Sequence, residues 1–183
     1  MRILNVGCGT DTYGTDFVDV YPTRPEVKRM DIESGKLPFS ENTFDEIYAK
    51  FVFEHMKNPG KFLQEAKRVL KKGGKITIIT DNAGCWAFHF PFDISLSRQH
   101  YDNTLRHGDA DRHYALFTPL HLQNHINAVG FRNAQVSYMW FEDYTSTQTN
   151  KLLFVLLSAF ARAVSLVTSQ KISYPHLRVV AVK

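Results

Sequence analysis

With 183 residues, 44% of them apolar and 22% charged, the chain has material for one well-filled core and too little for two, and its composition excludes disordered and fibrous classes. A formal charge of +4 is mildly basic, which suits an acidic partner without singling out nucleic acid. The two cysteines, Cys8 and Cys85, have no metal-ligand spacing and suit a reducing compartment; the chain opens directly into an apolar run with no charged leader, so a cytoplasmic protein is expected.

Ile3-Leu4-Asn5-Val6 is an apolar strand run that stops at Gly7-Cys8-Gly9, where glycines permit positive φ and close approach of a ligand to backbone N–H groups. Thr10 to Thr15 is polar and turn-rich, and Asp16 to Val20 then alternates like a strand. A parallel pair normally needs a crossover of about a dozen residues or more, so this connection predicts one turn or a bare loop in place of a helix. Val27 to Ile32 predicts a third strand, and Glu46 to Val52 a buried fourth.

From Asn58-Pro59 the apolar residues Phe62, Leu63, Ala66, Val69 and Leu70 recur at helical spacing, and Gly73-Gly74 is expected to stop that helix. Lys75 to Thr80 is β-branched nearly throughout, as in a strand buried on both faces. Strand, crossover helix and strand in this order predict an α/β sheet with right-handed connections.

Residues 81–117 lack periodicity and are rich in aromatics and histidines, which predicts a substrate or lid loop. Thr118-Pro119 starts a helix closed by Gly130; Ala134 to Phe141 and His176 to Lys183 read as the last two strands. Between them, within residues 150–170, the segment 152–168 is apolar on nearly every side. Its length and the central Arg162 argue against a membrane span. It is expected to be a buried or homodimer-contact helix, with a peripheral membrane helix using Lys151, Arg162 and Lys171 as the other reading. The whole of 1–183 is read as one domain.

Leu4-Asn5-Val6-Gly7-Cys8-Gly9, Val18-Asp19-Val20, Leu37-Pro38-Phe39 with Phe44-Asp45, Glu54-His55 and the run Phe62 to Gly74 together resemble the class I S-adenosylmethionine-dependent methyltransferases, in particular the small group with a shortened first crossover. The resemblance covers roughly residues 3 to 82 well and Phe117 to Phe131 moderately. It implies a single Rossmann-like sheet, mostly parallel with an antiparallel C-terminal strand, whose N-terminal and first crossover helices are reduced or absent. It also implies S-adenosylmethionine as cofactor, with S-adenosylhomocysteine as product, held by Asn5, Gly7, Cys8, Gly9, Asp19, Val20, Asp31, Ile32, Lys50 and Phe51. In the family's arrangement Asp19 accepts from the ribose hydroxyls and Asp31 from the adenine amine, while Lys50 and Phe51 border the sulfonium. This sequence departs from the pattern at Asp11, where a third glycine is usual.

Methyl transfer from a sulfonium is an in-line displacement that needs a base only when the acceptor must lose a proton. His55 and Glu54 are the first candidates and His113 the second. His55 and Glu54 also have plainer readings, as a helix-start residue and an N-terminal charge. No Asn/Asp-Pro-Pro-Tyr/Phe segment follows the fourth strand, which argues against an exocyclic base amine and so against nucleic acid, while the aromatic loop and the apolar late segment favour a small-molecule, glycan or lipid-linked acceptor. A methyltransferase-like binding module without turnover is the alternative. A dinucleotide-dependent oxidoreductase would need a long helix at the glycines, which Thr10 to Thr15 cannot supply. His121 and His125 stand four apart, a spacing that can serve one metal, but no third ligand is identifiable and no metal site is expected.

Overall fold

The computed structural model describes residues 1–33, 35–89, 112–139, 151–168 and 171–183. Strands β1 (Ile3–Val6), β2 (Asp16–Asp19), β3 (Val27–Arg29) and β4 (Phe44–Lys50) precede a 3-10 turn (Phe53–His55) and helix α1 (Pro59–Val69). Then come β5 (Leu70–Asp81), α2 (Ala83–His89), α3 (Pro119–Ala128), β6 (Arg132–Met139), α4 (Lys151–Val167) and β7 (His176–Val182). They form a seven-stranded sheet in the order β3-β2-β1-β4-β5-β7-β6. The pairs from β3 to β5 are parallel, and β7 runs antiparallel to both β5 and β6. Chain order reverses beside β1, so the carboxyl ends of β1, β2 and β4 open onto a switch point, where ligands of open α/β sheets bind.

One face carries the core. Leu4, Val6, Ile47, Ala49, Ile76, Ile78, Val179 and Ala181 pack beneath Phe62, Leu63 and Ala66 of α1 and Leu122 and Ile126 of α3. Helix α1 starts as its sequence dictates: Asn58 Oδ1 accepts the Lys61 N–H and Pro59 occupies the first turn. At the start of α3, Thr118 accepts the His121 N–H in the same way.

The opposite face of the sheet's centre is polar. Asn5, Glu46 and Thr77 are 1%, 2% and 1% exposed. Glu46 accepts from Thr77 Oγ1 at 2.9 Å and from Tyr13 Oη at 3.0 Å, and lies 3.1 Å from Lys75 Nζ. No helix joins β1 to β2; the loop after Gly9 lies over this face, its Tyr13 ring 4.6 Å from that of Tyr48. Buried polar side chains, Glu46 bonded to Tyr13 and Thr77 among them, therefore stand where a crossover helix would require apolar ones.

The described residues correct three expectations. Helix α1 ends at Val69, and Gly73-Gly74 does not cap it: Leu70 turns extended and already pairs with Phe44, and the glycines fill an irregularity before Glu46 meets Lys75. Gly73 has φ +76°, and a Cβ on Gly74 would stand 3.1 Å from the Asp45 carbonyl, so the pair serves the sheet. The third strand is shorter than expected, leaving Asp31 in the turn beyond it. The segment 81–117 is not all loop: it holds α2, while residues 90–111 lie outside the described residues. Finally, the described side chains of α4 are not buried throughout, which leaves the homodimer-contact and membrane-surface readings of the segment open. Ala161 is fully buried, whereas Leu166 and Val167 are 87% and 84% exposed and Val155, Leu156 and Phe160 are exposed too. The expected strand end at 140–141 lies outside the described residues.

Candidate functional site

Gly7 and Gly9 adopt φ +64° and +50°, which turns the chain back from β1 so that the Gly7 N–H donates to the Val18 carbonyl at 2.9 Å. A Cβ on Gly7 would collide with the side chain of Val52, so packing against the segment after β4 demands this glycine. The Gly9 N–H donates to Asp19 Oδ2 at 2.7 Å, and the Tyr21 N–H to Asp19 Oδ1 at 2.8 Å. Thr23 Oγ1 donates to the Gly9 carbonyl, and the Arg24 guanidinium to those of Thr10 and Asp11. The glycine loop is thus tied to the turn after β2 from several sides.

A cleft of about 640 Å³ opens between these turns. Gly7, Gly9, Asp19 and Val20 line one side and Met30, Asp31 and Ile32 another; Phe51, Val52 and His55 come from the end of β4. Asp31 Oδ1 accepts the Glu33 N–H at 2.9 Å, which fixes the carboxylate in its turn. Phe51 sits at φ +54°, uncommon for an aromatic residue; its N–H donates to Ile79, and its ring lies 4.7 Å from that of His176.

An adenosyl sulfonium fits this donor set. Carboxylates accept from hydroxyls and an amine, each oxygen of Asp19 retains acceptor capacity beyond its backbone partner, and Met30, Ile32 and Val20 supply apolar surface for a base.

Of the residues expected at the cofactor, Gly7, Gly9, Asp19, Val20, Asp31, Ile32 and Phe51 come together around the cleft. Asn5, Cys8 and Lys50 are not on its wall. Asn5 is buried on the polar sheet face, donating to the Tyr13 carbonyl at 2.9 Å. Cys8 is buried, and burial beside Asp19 raises its thiol pKa. Lys50 ends β4 with Nζ 3.9 Å from Asp11 Oδ2. Sequence reasoning missed Tyr21, Thr23, Glu33, Lys57 and Tyr114, which also line the cleft from loops where no periodicity marks them.

The three acid–base candidates converge at one end of the cleft. The carbonyl of Glu54 accepts the N–H groups of Tyr114 and Ala115 at 2.8 and 3.3 Å, and His55 Nδ1 contacts the Arg112 carbonyl at 3.0 Å. Those bonds bring His113 to His55, their rings 4.6 Å apart and nearly perpendicular. Of the three, only His55 lines the cleft. Glu54 is 1% exposed and accepts from Thr80 Oγ1 at 2.8 Å; burial, with Asp81 nearby, raises its pKa well above the ordinary glutamate value.

Asp81, unmarked in the sequence reading, lies between His113 Nδ1 at 3.4 Å and His176 Nδ1 at 3.1 Å. Burial pushes its pKa up to about 7 and pulls that of His176 down to about 4. The signal for Asp81 was available: it is an acid closing a β-branched strand, as Asp19 closes β2. Both histidines of the helical pair are exposed, and the His125 ring lies edge-on at 5.6 Å from that of Phe117 and 6.4 Å from that of Phe53.

Residues 15–78 match the family described as "Methyltransferase domain". Over 88 residues the chain is 36% identical to an uncharacterized protein of Methanocaldococcus jannaschii, covering 42% of this chain and 43% of that one. It is 26% identical over 201 residues to a sterol 4-C-methyltransferase of Caenorhabditis elegans, covering 95% of this chain and 56% of that protein. The chain therefore spans about half the length of these relatives. Among solved structures, an S-adenosylmethionine-dependent methyltransferase from Archaeoglobus fulgidus superposes with a TM-score of 0.66 at 15% identity, over 100% of this chain and 86% of that one.

Proposed function

We propose that the chain is a class I S-adenosylmethionine-dependent methyltransferase that binds that cofactor in the cleft beside the glycine loop and methylates a small-molecule, glycan or lipid-linked acceptor. The carrying observation is Asp19, held by the Gly9 and Tyr21 N–H groups at the end of β2 and lining the same cleft as Asp31. When bound, the cofactor supplies a methyl group made electrophilic by its sulfonium. Asp19 would accept from the ribose hydroxyls and Asp31 from the adenine amine, with Met30 and Ile32 against the base. Gly7, Gly9 and Phe51 would border the methionine portion.

The protein's own contribution is positioning and exclusion of water, which can account for most of the rate in an in-line displacement. A neutral acceptor hydroxyl or amine must also lose a proton. His55 is suited to accept it: its Nδ1 faces a carbonyl, which only accepts, so the ring's lone pair lies on Nε2.

An apolar or lipid-linked acceptor is supported by the exposed apolar side chains of α4 and by the sterol acceptor of the C. elegans relative. That face of α4 is also where a membrane surface or a second copy would dock. Among the described residues no helix is long and apolar enough to cross a membrane. A cytoplasmic setting is part of the proposal, supported by two buried cysteines without metal-ligand spacing.

Calorimetric titration with S-adenosylhomocysteine is the test. One binding event per chain, weakened by Asp19→Ala and by Asp31→Ala, is expected. The absence of binding to the folded wild-type chain would remove the assignment.

A further inference from the structure

We propose that Glu54, His55 and His113 form a binding site for one divalent transition-metal ion of the zinc or iron(II) class at the wall of the cleft. One donor atom from each residue lies within 4.8 Å of the others. Two imidazoles and a carboxylate match the borderline-to-hard preference of these ions and leave coordination positions open.

The supporting contacts are those that metal-binding side chains require. A metal-bound imidazole commonly donates its other N–H to a carbonyl or carboxylate, which fixes the tautomer and the ring plane. His55 Nδ1 meets the Arg112 carbonyl at 3.0 Å, and His113 Nδ1 faces Asp81 Oδ2 at 3.4 Å. The Arg112 carbonyl can only accept, so the His55 ring presents its lone pair at Nε2, and the proposed site takes His113 through Nε2 as well. Glu54 is held through Oε2 by the Thr80 hydroxyl, leaving Oε1 as its donor atom. Two of the three ligands thus have a hydrogen-bonded orienting partner and His113 Nδ1 stands beside Asp81, with Thr80 and Asp81 both at the end of β5.

The two segments are fixed to one another by backbone bonds from Tyr114 and Ala115 to Glu54, which hold the ligands together in the metal-free chain. Glu54 and Asp81, 1% and 2% exposed, form a desolvated acidic pair that a dication complements. The sequence directed attention to His121 and His125 instead, because their spacing is local. The ligands found here lie in segments 57 residues apart or more, joined only by the fold.

An ion at this position would take up the lone pair of His55. The trio would then act on the acidity of a coordinated hydroxyl, thiol or water in place of accepting a proton at Nε2. That consequence rests on the methyl-transfer reading. Ion binding does not, and is measured without cofactor.

The test is calorimetric titration of the tag-free, chelator-treated full chain with Zn²⁺, with Co²⁺ absorption as a second readout. One ion per chain is expected. His55→Ala and His113→Ala should each weaken binding at least ~10-fold while retaining the far-ultraviolet circular dichroism of the wild type. Asp81→Asn, which touches His113 and not the ion, should weaken it by about 10- to 100-fold. His121→Ala and His125→Ala should leave it unchanged.

Should the alanine variants fail to fold, imidazole ¹⁵N shifts of the wild type during Zn²⁺ titration give the same answer: Nε2 of His55 and His113 must move. The site is overturned if no ion binds, if binding survives both His55→Ala and His113→Ala, if it follows His121 and His125, or if those Nε2 shifts stay put.

Discussion

Asp19 accepts the Gly9 N–H at Oδ2 over 2.7 Å and the Tyr21 N–H at Oδ1 over 2.8 Å, so one carboxylate pins both the glycine loop and the turn after β2. An asparagine has a single amide oxygen, and its NH2 group would oppose whichever donor remained. Asp19→Asn should therefore lower the unfolding free energy in urea by about 1–2 kcal/mol. It should also weaken S-adenosylhomocysteine binding at least ~10-fold, about 1.4 kcal/mol. The bond to the Gly9 N–H thus couples fold and site at this residue. An Asn variant with native stability and native affinity would detach Asp19 from both.

Glu54 gives a pH-dependent prediction. Burial and the neighbouring Asp81 raise its pKa well above the ordinary value, so the folded chain favours the protonated acid. The stability gained this way is complete below the unfolded-state pKa, about 4.3, and is lost as pH rises toward the raised folded value. Glu54→Gln keeps an oxygen for the Thr80 hydroxyl and removes the charge. In chelator-treated protein it should be more stable than the wild type near pH 8, by about 1–3 kcal/mol, with the advantage shrinking toward pH 4. Unfolding curves at the two pH values check this; an advantage that grew toward acid would contradict it.

Asp81 and His176 shift in opposite directions, to about 7 and about 4, while facing each other at 3.1 Å. Alone, the raised acid loses stability as pH climbs from about 4 to 7, and the lowered base loses it as pH falls from about 6.5 to 4. Together the folded pair holds one proton across that window, as the unfolded pair does, so the two slopes cancel. The His176 ring is expected to remain neutral by NMR from about pH 8 down to about pH 5. A midpoint near 6.5 would show that the pair does not hold the proton on the acid.

Gly7 combines φ +64° with a missing Cβ that would strike Val52. Gly7→Ala should cost about 1–2 kcal/mol for the left-handed backbone plus a steric term for Val52. Val52→Ala in the same chain should recover the steric part and leave the backbone part, which a double-mutant cycle in urea measures. Additive costs would place the collision elsewhere.

Much of this architecture is legible because its signals are local. The apolar runs of β1, β4 and β5 and the acids near the ends of β2 and β3 mark strands and ligand-facing ends without any tertiary knowledge. The end of α1 is not legible: Leu70 fits both a helical face and a strand, and pairing with Phe44 decides for the strand. Helix α2 has only seven residues, too few to show a period. The meeting of Glu54 and His55 with His113 depends on backbone bonds across a wide sequence gap, to which no spacing rule applies.

Helix α4 shows the same limit from another direction. A segment that is apolar all round looks alike in sequence whether it is buried in the core, covered by a second copy or laid on a membrane surface. In the structure Ala161 is fully buried and Ser165 donates to its carbonyl at 2.8 Å, while Leu166 and Val167 are 87% and 84% exposed. Ala161→Glu would bury a charge with no room for it and should abolish cooperative unfolding of the native chain. Leu166→Glu and Val167→Glu should shift the unfolding free energy by no more than about 0.5 kcal/mol, as at other exposed positions. If this face docks on a membrane or a second copy, the same two variants should reduce sedimentation with anionic vesicles or dissociate the dimer, with the fold unchanged. Unfolding of either surface variant would return α4 to the core.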